Sequence, residues 1–535
     1  MSDDREREST EAEPEEAPPS SGGGEVEPDD DAAADDEGGA PQGVKKLGRT
    51  FWMLNSIEMM ERLAYFSMRA VVPVYIMQAD DPGGLHLTAA HKGTIYAWWF
   101  VFQSILPMFT GGYADRYGYK KVMAFAVSLN MAGYVVMAFG REYWSFFLGV
   151  LILATGTAFF KPSIQGSLAQ NLTKDVSSLG WGIFYWVVNI GGASGPLFAR
   201  AILGHPHTVE AWRNLFLASA GFTALNFLLM FTFKDVPSGA SKTEKPLEVF
   251  LRTVRNIVEP RLVAWLLIMA CFWLMMYQLW DLHPNFITDW VDSSDVAGVL
   301  TMLPNPDYWA SDTPRGIQVP QEILLSANAF LIILLMIPVS WAVRRMRTLS
   351  AMLIGMTVAT GGILVAGLTS IGGMLVLGIV LFSLGEMLTG PKKNEYLGLI
   401  APPGKKGLYL GYVNIPIGIG GFIGSKLAGY VYGNYGEKAV LSLKYLATKT
   451  DFGADKGWDG SMATLESALG VEREVAFAKL QEVTGLDAVQ ATQLLWDTYS
   501  PQYSVWLPFA AIGVAAIIAL AIFGQMAKRW KDMNA

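Results

Sequence analysis

Stretches of about 20 mostly apolar residues, the length that carries a helix across a bilayer core, recur twelve times along this chain. They fall near 51–78, 93–113, 122–140, 143–170, 179–203 and 213–233. A polar, basic stretch at 234–260 follows, and six more lie near 262–281, 321–343, 349–371, 373–400, 407–432 and 501–527. The expected fold class is therefore an all-α membrane protein with twelve transmembrane helices in two groups of six. Composition agrees, since 52% of the 535 residues are hydrophobic and 16% charged, against about 25% charged in an ordinary soluble chain. With Cys271 as the single cysteine, neither an intrachain disulfide nor a thiolate zinc cluster is available.

The net charge of −8 averages two unlike parts, because residues 1–42 carry sixteen acids and two arginines and the remainder is net basic. That opening segment has almost no large apolar residue with which to offset the entropy of ordering, so residues 1–47 are expected to be a disordered acidic tail. It lacks the basic start and early apolar run of a signal peptide. The expected organisation continues with a six-helix bundle at 48–233, a linker at 234–260, helices seven to eleven at 261–434, an exterior helical insert at 435–500, and the twelfth helix with a C-terminal tail at 501–535. Within the insert, helical patterns fall near 462–469, 472–484 and 487–498, and the linker stretch from Leu247 to Val258 reads as an amphipathic surface helix. Residues 282–320 form a second long exterior segment, acidic and Pro-containing.

Placing the N-terminus inside puts 21 Lys and Arg in the inner loops and tails and only Lys92, Arg141, Arg213 and Arg315 in the short outer loops. The positive-inside rule then sets both termini in the cytoplasm of a protein of the cell membrane, inner or plasma.

Ionisable residues inside spans are the best pointers to function, because each costs roughly 2.5–3.5 kcal/mol at a helix centre. In span 1, Glu58, Glu61, Arg62, Tyr65 and Arg69 form one stripe about 100° wide, which must face a bundle interior or a water-filled cavity. Lys161 in span 4 lies at about the depth of Glu58, Glu61 and Arg62, and a buried lysine needs a carboxylate, so pairing with Glu58 or Glu61 is expected. Glu386 is the deep acid of span 10, with Lys392, Lys393 and Glu395 nearer its cytoplasmic end. Arg200, Asp281, Glu322 and Lys426 sit close to outer span ends and read as side chains that reach water or snorkel. The five histidines lie in or beside exterior segments, and no metal site or cofactor is expected.

Gly112-Tyr113-Ala114-Asp115-Arg116-Tyr117-Gly118-Tyr119-Lys120-Lys121, between spans 2 and 3, resembles the loop signature of the major facilitator superfamily. Within it, Glu58-Met59-Met60-Glu61-Arg62-Leu63-Ala64-Tyr65-Phe66-Ser67-Met68-Arg69 looks like the first-helix motif of the proton-dependent oligopeptide transporter family. Gly156 to Pro162, Phe184-Tyr185 with Asn189 and Gly191, and Gly385-Glu386 with Pro391 are similar to that family's motifs in helices four, five and ten, and Phe272-Trp273 with Gln278 is a weaker match in helix seven.

The resemblance implies the major facilitator fold and a proton-coupled symporter for small peptides that works by alternating access as a monomer. The proton is its coupling ion, the lipid bilayer its surroundings, and nucleic acid no partner. Glu58, Glu61 and Arg62 would form the proton-coupling cluster, Arg69 and Lys161 would attract a peptide carboxylate, and Glu386 would face its amino group. Asn189 would bond to the ligand backbone, Tyr65 and Trp273 would line the cavity, and Asp115, Arg116, Lys392 and Lys393 would belong to gates. Tyr277 stands where the family has an acid, Ser104 and Phe66 replace expected aromatics, Gly390 replaces a serine, and the two lysines add positive charge. The altered pocket keeps open a carrier or exporter of another small charged solute. A non-transporting receptor working through the tail or insert is a further alternative. An enzyme is not expected, since no nucleophile–base pair or phosphate loop stands out.

Overall fold

In lipid every backbone N–H and C=O has to be satisfied within its own segment, which makes a helix of each apolar stretch. The computed structural model describes residues 46–235, 259–401, 409, 411–454 and 456–529. The expectations for the acidic tail and for the amphipathic linker helix fall outside them. The first six spans are Arg49–Arg69, Ala89–Ile105 with Pro107–Tyr117, Tyr119–Phe139, Tyr143–Gln170, Ser177–Leu203 and Val209–Met230. The second six are Pro260–Met276 with Gln278–Asp281, Gln321–Val343, Thr348–Gly367, Gly372–Ile400, Ile415–Tyr435 and Pro501–Arg529. Seven of these helices are apolar and long enough to cross a membrane by length and composition alone. Span 1 is not among them, because Glu58, Glu61, Arg62 and Arg69 lie within it.

Three spans are interrupted, which the hydropathy pattern does not show. Span 1 ends at Arg69, and after Ala70 and Val71 a short helix runs over Val72–Met77 with Pro73 in its first turn. Span 2 breaks at Leu106 before Pro107, whose missing N–H cannot continue the helical ladder. Span 7 breaks at Tyr277.

One end of the molecule carries the odd-numbered interhelical connections and the 435–500 segment; it is called here the insert end, and the opposite one the terminus end. The insert contains the helices Lys438–Lys449, Leu465–Leu469, Ala476–Thr484 and Ala488–Tyr499. The last is opened by a reciprocal cap between Asp487 and Gln490. The sequence pattern anticipates the later helices and not Lys438–Lys449, which follows span 11 almost without a break. Residues 282–320 hold the helices His283–Trp290 and Ser294–Leu300 and a small hairpin pairing Ser311–Thr313 with Gly316–Gln318.

Within the first half, span 1 packs against spans 5 and 6, and span 3 against spans 4 and 6; within the second, span 9 packs against spans 10 and 12, and span 7 against spans 11 and 12. The halves meet where span 2 runs along span 11 and span 5 along span 8. Small residues permit the first of these contacts. A Cβ at Gly93 would stand 2.5 Å from the Ser425 carbonyl oxygen, closer than a side chain tolerates, and 3.1 Å from the Gly429 Cα. Span 5 approaches span 1 in the same way, since a Cβ at Gly191 would lie 2.8 Å from the Cβ of Arg62.

Candidate transport site

The stripe on span 1 is buried between helices. Glu58, Glu61 and Arg62 are each 4% exposed or less, so their charges have to be met locally. Arg62 meets both acids: Nε donates to Glu61 Oε2 at 2.6 Å and lies 3.3 Å from Glu58 Oε1, and Nη2 also contacts Glu61. Asn130 of span 3 donates to the other oxygen of Glu61 at 3.5 Å. Glu58 Oε2 is buried without a hydrogen-bond partner. The two acids are therefore unequal, Glu61 held on both oxygens and Glu58 on one. Gly191 matters here, because the Arg62 side chain occupies the space a larger residue on span 5 would fill.

Lys161 does not pair directly with either acid, contrary to the sequence expectation. It lies within electrostatic reach of Glu58, Glu61 and Arg62, but among the described residues it forms no ion pair within 4.0 Å, because Arg62 on the acids' own helix has taken that place. Tyr65 donates its hydroxyl to Gln103 of span 2 at 2.8 Å, a partner that sequence reasoning did not single out. The guanidinium of Arg69 stacks on Tyr96 and Trp99, 4.0 and 4.8 Å from the ring centres, and leaves Nη1 without a hydrogen-bond partner. Asn189 donates to the Tyr185 carbonyl of its own helix at 2.8 Å.

The facing wall comes from spans 7, 8 and 10. Asn328 donates to Glu386 Oε2 at 3.1 Å and to Ser383 at 3.0 Å. Lys392 pairs with Glu395 at 2.8 Å, and Glu395 accepts from Thr348 of span 9, so this lysine is satisfied within the second half. Lys393 parts company with it: its ammonium sits 4.2 Å from the centre of the Trp273 ring and within electrostatic reach of both Glu386 and Lys161. Tyr185 is 48% exposed and within electrostatic reach of Glu386. Tyr185 and Lys161 of the first half and Glu386 and Lys393 of the second are thus within electrostatic reach of one another in pairs, Tyr185 with Glu386 and Lys161 with Lys393. Asp115 accepts from Tyr119 at 2.8 Å, while the adjoining turn, with Gly118 at φ +97°, is tied to the end of span 6 by the Lys120 backbone N–H donating to Asp235. Arg116 lies over Tyr117.

A second polar assembly closes the insert end. Lys92 of span 2 is 1% exposed and pairs with Asp281 of span 7 at 3.2 Å, while Ser425 of span 11 donates to the other carboxylate oxygen at 2.5 Å. Lys92 also donates to Asn285, whose amide reaches Gln78, and Gln78 donates to Asp289 at 2.7 Å, an acid also bound by Tyr432. The insert adds Arg473, which pairs with Glu437 at 3.2 Å and donates to the carbonyls of His86 and Leu87 in the opposite half. Arg200 holds the carbonyls of Asp307 and Tyr308 at 2.9 Å. Asp281, Arg200 and Glu322 are corrections to their reading as water-reaching end charges, since each is 4% exposed or less, and Lys92, counted among the outer-loop cations, is buried as well; Lys426 stays exposed. His207 bonds to Asp81 at 2.8 Å instead of standing free in a loop. Among the described residues no group of three or more His, Cys, Asp or Glu is placed to hold a metal ion.

The Major Facilitator Superfamily model matches residues 57–304. Among curated proteins, the chain is similar to the multidrug resistance protein MdtH of Proteus mirabilis, 23% identical over 337 residues that cover 62% of this chain and 75% of the relative. It is also similar to the uncharacterized transporter YclF of Bacillus subtilis, 29% identical over 160 residues covering 29% and 32%. Among solved structures, the peptide transporter POT in complex with sulfate superposes with a TM-score of 0.63 at 17% identity, over 91% of this chain and 96% of that one. The nucleoside transporter NupG does so with 0.63 at 13% identity, over 89% and 100%. Together these define the class: a multi-pass membrane transporter with the major facilitator fold, twelve helices in two six-helix bundles. Its curated relatives include multidrug resistance proteins and an uncharacterized transporter, and its structural neighbours include peptide and nucleoside transporters, so the choice of solute rests on the site's own chemistry.

Two outcomes follow from the insert-end assembly. Removing one partner of a buried ion pair leaves an uncompensated charge, at a cost of about 3–5 kcal/mol. Lys92→Met should therefore lower the melting temperature of the purified protein markedly, and Lys92→Met combined with Asp281→Leu should recover most of the loss. Burial raises the Glu437 carboxyl from 4.5 to about 7 against the opposing charge of Arg473. Between the two values the folded state binds a proton that the unfolded chain has released, so this contribution to stability is fully present below about pH 4.5 and is lost as the pH rises to about 7. Melting temperature should fall between about pH 4.5 and about pH 7, with a smaller fall in Glu437→Gln.

Proposed function

We propose that the protein is a proton-coupled carrier of small charged solutes, with small peptides as the first class to test because of the motifs in spans 1, 4, 5 and 10. One observation carries the reading: Arg62 is buried between two carboxylates of which Glu58 retains an unpartnered oxygen. A structural ion pair needs one acid. A second, half-engaged acid at membrane depth is a place to put a proton.

The cycle follows from that asymmetry. With the termini in the cytoplasm, the described state is closed to the outside by the Lys92–Asp281 assembly and by the packing of span 2 on span 11. Opening outward requires these contacts to part while the halves rock about the central cleft. A proton arriving from outside goes to Glu58, which gives up a single contact to Arg62, while Glu61 keeps that arginine neutralised. Neutral Glu58 frees part of the Arg62 and Lys161 charge for an anionic solute group. Release of solute and proton to the cytoplasm restores the starting pairs. In this scheme Arg69, Tyr65, Asn189 and Trp273 shape the cleft around Lys161 and Glu386, and Asp115, Arg116 and Lys392 act within the halves at the terminus-end gate.

A second reading, proton-driven export of amphipathic solutes, is favoured by the similarity to multidrug transporters. It predicts competition by apolar cations instead of peptides.

Reconstituted Glu58→Gln protein should lose uphill accumulation driven by a pH gradient and keep solute counterflow. Glu61→Gln, which strips Arg62 of its main partner, should impair both. Proton-driven accumulation by Glu58→Gln would sink the assignment.

A further inference from the structure

His86, between spans 1 and 2, occupies a backbone conformation that side chains seldom adopt, with φ +52°. Such a residue persists where its surroundings fix it, and its loop is fastened to the first half at several points. The Leu85 and Leu87 N–H groups donate to the carbonyls of Tyr75 and Ile76 at 2.7 and 2.8 Å. Arg141, from the connection between spans 3 and 4, donates to the carbonyls of Gly83 and Gly84 at 3.2 and 2.7 Å. Asp81 accepts from the Gly83 N–H at 3.1 Å and bonds to His207 at 2.8 Å. A glycine would meet the angle at position 86 without strain, so the use of an imidazole there has to lie in its contacts.

Those contacts come from the opposite half. The insert continues from span 11, packs around its own buried Leu446, Leu469, Leu480 and Leu495, and meets the loop with two adjacent residues. Arg473 donates to the carbonyls of His86 and Leu87 at 2.7 and 2.9 Å, and Glu474 lies 3.0 Å from His86 Nδ1. His86 Nε2 lies 2.6 Å from the Asp81 carbonyl oxygen, which can only accept. Both ring nitrogens therefore face acceptors, whereas a neutral imidazole donates from one alone. The contact is complete only with one further proton, on the ring or on Glu474. The two side chains are 22% and 49% exposed, so that proton exchanges with the solvent.

The other charged and titratable groups around this contact are Asp81 and His91 on its own stretch, Arg141, His207, Arg473 and Glu437. The His207–Asp81 pair lies within the first half and the Arg473–Glu437 pair within the second, so neither parts when the halves do. Of the titratable pairs in this group, His86 with Glu474 is the one that crosses between halves.

We propose that the insert is a proton-tightened strap on the insert-end gate: Arg473 and Glu474 hook the second half onto the His86 loop of the first, and the hook holds more firmly when the His86–Glu474 contact carries its extra proton. The closed state then binds a proton that the open state releases, so closure is favoured at low pH and weakens as the pH rises. Histidine is the side chain whose charge changes between pH 5 and pH 8. The proposal rests on the reading of this end as a gate that opens during transport. It depends neither on the solute nor on proton coupling through Glu58.

Spin labels at Glu210→Cys on the first half and Glu482→Cys on the insert, positions with side chains 78% and 69% exposed, report the separation of the halves. They are placed in the full chain carrying Cys271→Ser, in lipid nanodiscs, and read by pulsed dipolar spectroscopy. Between pH 5 and pH 8 the long-distance population should rise about two- to fivefold, the scale of a part-exposed ion pair. His86→Asn, which suits the left-handed backbone and does not titrate, should hold that population near its pH 8 value throughout. Glu474→Gln should do the same, and the two combined should add nothing further. Being half-exposed, Glu474 keeps the test open even if His86→Asn disturbs the loop. Arg473→Gln should raise the long-distance population at every pH. The proposal is overturned if the distances ignore pH, if Glu474→Gln keeps the full pH dependence, or if Arg473→Gln leaves the labels together. If in that event Lys92→Met still separates the labels, the gate stands without the strap; labels that stay together in Lys92→Met as well overturn both. Separation that follows pH in this way, without proton movement in proteoliposomes, would contradict the coupling mechanism and support the strap.

Discussion

A guanidinium buried at membrane depth has to be neutralised within the protein, and the arrangement of the first half follows from how Arg62 is neutralised. Its two acids sit on its own helix, one turn back and at the adjacent position, so span 1 carries its own ion pairs. Space for the arginine is made by span 5, where Gly191 lets the backbone come close without a side chain in the way. Because span 1 is self-sufficient in charge, Lys161 on span 4 is left over. In the proposed cycle its charge is one that a solute or a proton movement addresses.

The same rule operates at the insert end with different consequences. Lys92 and Asp281 belong to opposite halves, so their pairing is a contact that has to break when the halves rock apart. Ser425, Asn285, Gln78, Asp289 and Tyr432 extend it into a hydrogen-bonded assembly, and Arg473 ties the exterior insert to the opposing half. Buried polar assemblies of this kind are stable only when complete. The insert is not an ornament on the helix bundle, since its Arg473 and Glu437 form part of the closing surface.

Hydropathy and charge placement made the twelve spans and the polar stripe of span 1 legible, because both depend on a single helix and its solvent. The breaks at Ala70 and Tyr277 escaped that reading, as local apolarity does not report a change of direction. Partners supplied by the other half were equally invisible. Asp281, Arg200 and Glu322 lie near span ends, where a single-helix view sends them to water, and only the fold brings the surfaces that cover them. Lys161 was placed at the right depth and given the wrong direct partner, since a helical wheel does not show that Arg62 reaches both acids first. Lys392 and Lys393 are adjacent in sequence and so point about 100° apart; one turns to Glu395 and the other to Trp273, a division that spacing permits but does not dictate.

In the proposed cycle solute entry is driven by a proton passing through the Glu58 and Arg62 cluster. The direct measurement is the internal pH of proteoliposomes loaded with a pH-sensitive dye and given no imposed gradient, as small peptides, acylated peptides and short carboxylic acids are added outside one at a time. Acidification of the lumen in step with uptake of the accepted solute is the predicted result. Uptake of that solute with the internal pH unchanged would contradict the account.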